Sequence, residues 1–120
     1  MGQIMFYPRG GAGTVVSVRI SGSEDNLARL QSGRAYEVEI AFMPAADHPS
    51  MPLRLDLQLD GFAQQVLGLD IQGKVVAGQV ETLRFDWVPA DIYAGMRVEC
   101  LVDSGMDPPE IAIGFPAEII

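Results

Sequence analysis

The chain holds one histidine, His48, and one cysteine, Cys100, so nucleophilic or general-base chemistry would have to start from them. A Ser-His-acid relay would need His48. That residue lies in a proline-rich stretch, between Pro44 and Pro52, where nothing sets a nucleophile or an orienting carboxylate beside it. It reads as an exposed loop histidine. Cys100 alternates with other apolar residues, Met96, Val98 and Val102, and a thiol buried in that setting packs as a small hydrophobe. A single cysteine also excludes an intramolecular disulfide and a cysteine metal cluster.

The segment Asp103-Ser104-Gly105-Met106-Asp107-Pro108-Pro109-Glu110 is the one compact acidic loop. Calcium takes about six to eight oxygens, of which Asp103, Asp107, Glu110 and backbone carbonyls could supply some. Their spacing is not that of an EF-hand, and a solvated turn is the plainer reading. Gly10-Gly11-Ala12-Gly13 resembles a phosphate loop only in composition, because Thr14-Val15-Val16 continues as a strand where a helix N-terminus is needed. Trp87 shares its register with Leu83 and Phe85, which makes it a core tryptophan. A sugar-stacking role would place it on the opposite face. Asp56 and Asp86 read as outward surface charges. No catalytic residue, metal site, binding residue or cofactor is assigned, and the chain reads as a non-enzyme.

Strands must carry these groups. Leu53, Leu55, Leu57 and Leu59 alternate with Arg54, Asp56, Gln58 and Asp60, which puts the leucines on one face of a strand and would scatter them around a helix. Tyr36, Val38, Ile40 and Phe42 repeat the period, as do Leu83 to Trp87 and Met96 to Val102. Weaker alternation runs through Val15 to Ile20, Gln65 to Ile71 and Glu110 to Phe115, and Gln3 to Tyr7 suits an edge strand. Turn residues separate these runs at Pro8 to Gly13, Ser21 to Asn26, Gln72-Gly73, Ala77-Gly78, Pro89 to Gly95 and Ser104 to Pro109. The prolines of Met43 to Pro52 predict a long connection outside any ladder. Asn26 to Gln31 is the best helical candidate, at one or two turns. The expected fold is all-β: an immunoglobulin-like two-sheet antiparallel sandwich of seven to eight strands, one domain over residues 1–120.

Composition narrows the partners. At 48% hydrophobic residues the chain can build a core, and eight basic against sixteen acidic side chains leave a net charge of -8. That surface repels phosphate backbones, so no nucleic acid is expected, and no apolar run is long enough for membrane insertion. Met1 to Tyr7 lacks the basic start and apolar stretch of a secretory signal, and Phe6 stands where N-myristoylation wants Ser or Thr. With no disulfide, the cytoplasm is slightly favoured and the compartment stays open.

The stretch Val76-Ala77-Gly78-Gln79-Val80-Glu81-Thr82-Leu83-Arg84-Phe85-Asp86-Trp87-Val88-Pro89, followed by Gly95 and the strand to Asp103, resembles the late strands of bacterial cell-adhesion-related (CARDB-type) immunoglobulin-like domains. The resemblance spans about positions 33 to 103. Met43-Pro44-Ala45-Ala46 replaces the usual Asn-x-Gly, and Tyr93 precedes Gly95 where the family has a tyrosine after the glycine. Gly11-Ala12-Gly13 before Val15, and Leu30-Gln31-Ser32-Gly33 before Tyr36, are similar to the opening of the O-antigen-binding sandwich that ends some polysaccharide transporters. Both resemblances imply a fold and no catalytic residues.

The expected function is a non-enzymatic protein-interaction or structural module, one piece of a larger assembly, binding a protein partner or itself. A carbohydrate-binding module is the alternative, with Tyr7, Phe62 and Tyr93 as its available aromatics. Val15 to Ile20 and Ile111 to Phe115 are expected to leave open strand edges. The apolar end Phe115 to Ile120 should pack against something. Met43 and Met51 could form a contact surface or cover the end of the core.

Overall fold

The alternating runs do form strands, and their apolar sides meet in one interior. The computed structural model describes residues 1–23, 26–105 and 108–120. One sheet has the order β1-β3-β5-β8: Gly2–Ile4, Thr14–Ile20, Tyr36–Met43 and Glu81–Trp87. The other runs β2-β10-β9-β6-β7: Tyr7–Pro8, Ala112–Ile119, Arg97–Asp103, His48–Leu59 and Phe62–Val75, with β4 (Ala28–Leu30) also beside β10. A two-sheet sandwich results.

Register explains the core. Tyr36, Val38 and Ile40 of β5 stand opposite Trp87, Phe85 and Leu83 of β8, and all six are buried. Leu53, Leu55 and Leu57 face them from the second sheet, beside Val98, Cys100 and Val102 of β9. Phe115, Ala117 and Ile119 complete that wall, so the apolar chain end is packed. Met51 is core as well, while Met43 stays exposed.

Among the described residues the strands number ten rather than seven or eight. The expected N-terminal edge strand is split: β1 pairs with β3, and the chain then crosses at Met5 and Phe6 so that β2 pairs with β10. The helical candidate Asn26 to Gln31 is the extended β4. Ala28 and Leu30 point into the core around an outward Arg29, and parallel pairing with β10 outweighs a weak local preference for helix. That short parallel pair makes the second sheet mixed. Met43 to Pro52 is not all connection either, since β6 begins at His48. Pairing with β9 starts only at Arg54, so Pro49 and Pro52 have β7 alone beside them and can turn their hydrogen-less nitrogens to the open side. Gln72-Gly73 is no reversal. It lies inside β7 at a bulge, where Gly73 takes a φ of +121°.

Candidate functional site

At one end of the sandwich the expected acidic loop turns inward. Glu110 is buried, 3% exposed, and its Oε2 accepts a hydrogen bond of 2.6 Å from the backbone N–H of Ala45. Its Oε1 lies 3.7 Å from His48 Nε2, a nitrogen hidden from solvent with no hydrogen-bond partner among the described residues. His48 is therefore a half-buried strand residue rather than an exposed loop histidine. The reason is that β6 starts there, with a side chain that must face either the core end or water. Ser104, fully buried, accepts through its hydroxyl from the N–H groups of Glu110, at 2.8 Å, and Ile111. The loop glycines serve the same packing. A Cβ at Gly11 or Gly13 would stand 2.8 Å from the Glu110 carbonyl oxygen, and Gly13 donates its N–H to that oxygen.

Of the acidic residues weighed for calcium, Asp103 and Glu110 are each engaged elsewhere. Asp103 is taken by Arg9 at 3.1 Å and by Arg54 at 3.7 Å, and Glu110 is turned to Ala45 and His48. Asp107 lies outside the described residues. Among those described, no three histidine, cysteine, aspartate or glutamate side chains are grouped to hold a metal ion. Asp56, expected on the surface, is mostly covered and paired with Arg54 at 3.3 Å, whereas Asp86 is exposed. Cys100 is fully buried, and burial pushes its thiol well above the usual range. Trp87 is buried with Leu83 and Phe85. A nucleophile, a base and an accessible cleft are not brought together by these residues.

Other exposed features lie at the opposite end and along one side. β6 and β7 form a long hairpin closed by Asp60 and Gly61, both with positive φ, as a tight two-residue turn requires. β7 pairs only with β6, and its other edge has no partner strand among the described residues. At its start Phe62 is 80% exposed, and near it the 3-10 turn Asp91–Tyr93 leaves Ile92 74% exposed. The Tyr93 hydroxyl ties that turn to Gln64 at 3.2 Å. Tyr7, the third available aromatic, lies elsewhere, its hydroxyl donating to Glu99 at 2.7 Å and raised in pKa by that bond.

The expected open edges are only partly so. β10 is flanked by β2 at Ile113 and Gly114 and by β4 at Ala117 to Ile119, so Ile111 to Phe115 is largely covered. β3 is covered by β1 over Val18 to Ile20 and open beyond, where its pairing with β5 is bulged at Val16.

No family model matches the sequence, and no curated protein matches it. Among solved structures the backbone is similar to that of a Niemann-Pick type C2 protein from the Japanese carpenter ant: TM-score 0.81, 13% identity, 97% of this chain and 99% of that one. It is an immunoglobulin-like sandwich. The CARDB domain of the PF1109 protein from Pyrococcus furiosus, solved with di-metal ions, superposes with a TM-score of 0.56 at 13% identity, over 90% of this chain and 87% of that one. The C-terminal domain of wzt gives 0.64 at 13% identity, over 97% and 77%. The CARDB-like likeness read from the sequence thus holds at the level of fold. The likeness to the transporter sandwich reaches through both halves of the chain. At such identities these comparisons concern fold alone, and no residue role passes from them.

The β7 edge had no sequence signal of its own, because which strand ends up outermost depends on the pairing of all the others. Glu110 and His48 each stand out, but nothing in the sequence, where they lie 62 positions apart, hints that they meet.

Proposed function

We propose that the chain is a non-enzymatic interaction module that takes an extended segment of a protein partner, or of a second copy, against the free edge of β7. The observation that carries this is the strand itself: fourteen residues, paired on one side and unpaired among the described residues on the other. An unpaired edge offers a row of backbone donors and acceptors to an added strand. Most sheets blunt such edges. Here β8, the outer strand of the other sheet, is half as long and carries Arg84 and Asp86 on its outer face, and the open part of β3 is bulged. β7 carries only Asp70 and Lys74 as charges and no proline, and between its own bulges at Val66 and Gly73 the stretch from Leu67 to Gln72 keeps regular register. Phe62 and Ile92 add an apolar anchor at its start, the kind of exposed group that interfaces bury. That the single histidine and single cysteine are both turned inward supports the absence of catalysis.

Light scattering across protein concentration, with capture from a host extract, tests the reading. The variant carrying Gly68→Lys and Gln72→Lys lines the edge with like charge while leaving the core face untouched; a Cβ at Gly68 meets only the Gln65 side chain. The wild type is expected to gain mass with concentration or to retain a partner, and the variant to lose that behaviour. Equal behaviour of the two would refute the edge as the contact. Glycan-array binding abolished by Tyr93→Ala would favour the carbohydrate-binding alternative instead.

A further inference from the structure

Among the described residues four of the eight cationic side chains are in ion pairs: Arg9, Arg54 and Arg84 with nearby carboxylates, and Arg29 with Glu118. Two arginines stand apart from the rest by where they point. Arg29 on β4 and Arg34 in the β4–β5 loop line one concavity of about 290 Å³, with Gln31 between them in sequence and Tyr36 also in the lining. Its place is the loop end of the sandwich that also holds the β6–β7 turn, away from the β7 edge.

Arg34 has no carboxylate partner among the described residues. Its guanidinium sits over the Tyr36 ring, 5.4 Å from the centroid. That ring is itself fixed: Tyr36 is buried at the start of β5, and its hydroxyl accepts the N–H of Gln31 at 2.7 Å. A guanidinium stacked on a held ring is oriented before any ligand arrives, yet keeps its N–H donors free. Gly22 borders it, a glycine that its φ of +68° favours. Arg29 is only loosely engaged. Its 3.6 Å contact with Glu118 is long for a charge-assisted hydrogen bond, so it too has donors to offer. Leu27 and Ile120, 43% and 51% exposed, supply apolar wall to the same hollow.

We infer that this concavity is a binding site for a small oxyanion, a carboxylate or phosphate group carried on a body no larger than about one sugar ring. Paired forks of N–H donors fit two oxygens of such a group, and the volume leaves space for little more. The chemistry is unexpected on a chain of net charge -8, whose overall field repels anions. Local donors must outweigh that field, so affinity is modest and falls with added salt. The inference concerns a different surface from the β7 edge and stands or falls separately from it.

Amide chemical shifts of the full chain, followed at low salt, provide the test. The probes are glucuronate, inorganic phosphate and, as a neutral match for the first, glucose. Glucuronate or phosphate is expected to move signals from residues 27 to 36, and glucose to leave them in place. Movement with phosphate alone assigns the site to the free anion; movement with glucuronate assigns it to an anion on a ring. Arg34→Gln and Arg29→Gln are each expected to weaken binding about tenfold, the loss of one charge-assisted hydrogen bond. Arg84→Gln, on the outward face of β8 and outside the lining of the hollow, should change nothing and controls for net charge. Dispersion of the amide signals like that of the wild type confirms that each variant is folded. The inference is overturned if neither anion shifts these residues, if glucose shifts them as strongly as glucuronate, or if the two pocket variants bind like wild type.

Discussion

The Glu110 carboxylate and the Ala45 N–H meet at 2.6 Å across 65 residues of sequence, joining the β5–β6 connection to the loop that follows β9. With His48 Nε2 on its other oxygen and Ser104 gathering the neighbouring N–H groups, Glu110 closes one end of the sandwich.

Glu110→Ala removes the acceptor of the Ala45 N–H and leaves His48 facing a void. A loss of about 1–3 kcal/mol is expected. Glu110→Gln keeps an oxygen for Ala45 and should cost less than half as much. Urea midpoints at constant slope decide between them; equal losses for both variants would mean that the tie to Ala45 contributes nothing.

A similar close fit anchors β2. A Cβ on Gly114 would lie 2.6 Å from the Tyr7 ring, so the ring rests directly on the glycine while its hydroxyl reaches Glu99. Gly114→Ala should lift Tyr7 away, break that bond and cost about 1–2 kcal/mol. In a Tyr7→Ala background the same change meets an empty place and should cost close to nothing. Additive losses in the double variant would rule out the contact as the cause.

Much of this architecture was legible in the residues because period-two alternation is a local signal. The leucines of β6, the Tyr36 to Phe42 run and Trp87 all fell on the buried side by register alone. What the sequence hid was pairing. Ala28 and Leu30 look like a short helical turn until β10 lies alongside, and Pro49 and Pro52 look like a break until it is clear that β9 does not reach them. The surfaces proposed for binding are non-local in the same way. The edge of β7 lacks a partner strand among the described residues only because the other strands pair elsewhere, and Arg29 and Arg34 share a hollow only because β4 is extended rather than helical.

Cys100 gives the last prediction, and its sign follows from burial. The folded state raises the thiol pKa, so the folded chain keeps a proton that the unfolded chain releases above about pH 9. Unfolding then liberates a proton, and stability must fall as pH rises; below that point the thiol contributes no pH dependence. The loss should approach about 1.4 kcal/mol for each unit of pH beyond the unfolded thiol's pKa. Tyr7 acts in the same direction, but only above about pH 10, where an ordinary tyrosine begins to ionise. Between those two points Cys100→Ala should flatten the decline, whatever it costs in packing at neutral pH. Denaturant midpoints at pH 8 and just below pH 10 measure it, and a thiol reagent should modify the wild type only in urea. Equal slopes for wild type and Cys100→Ala, or rapid modification of the folded chain, would show that the thiol is not sealed between the sheets.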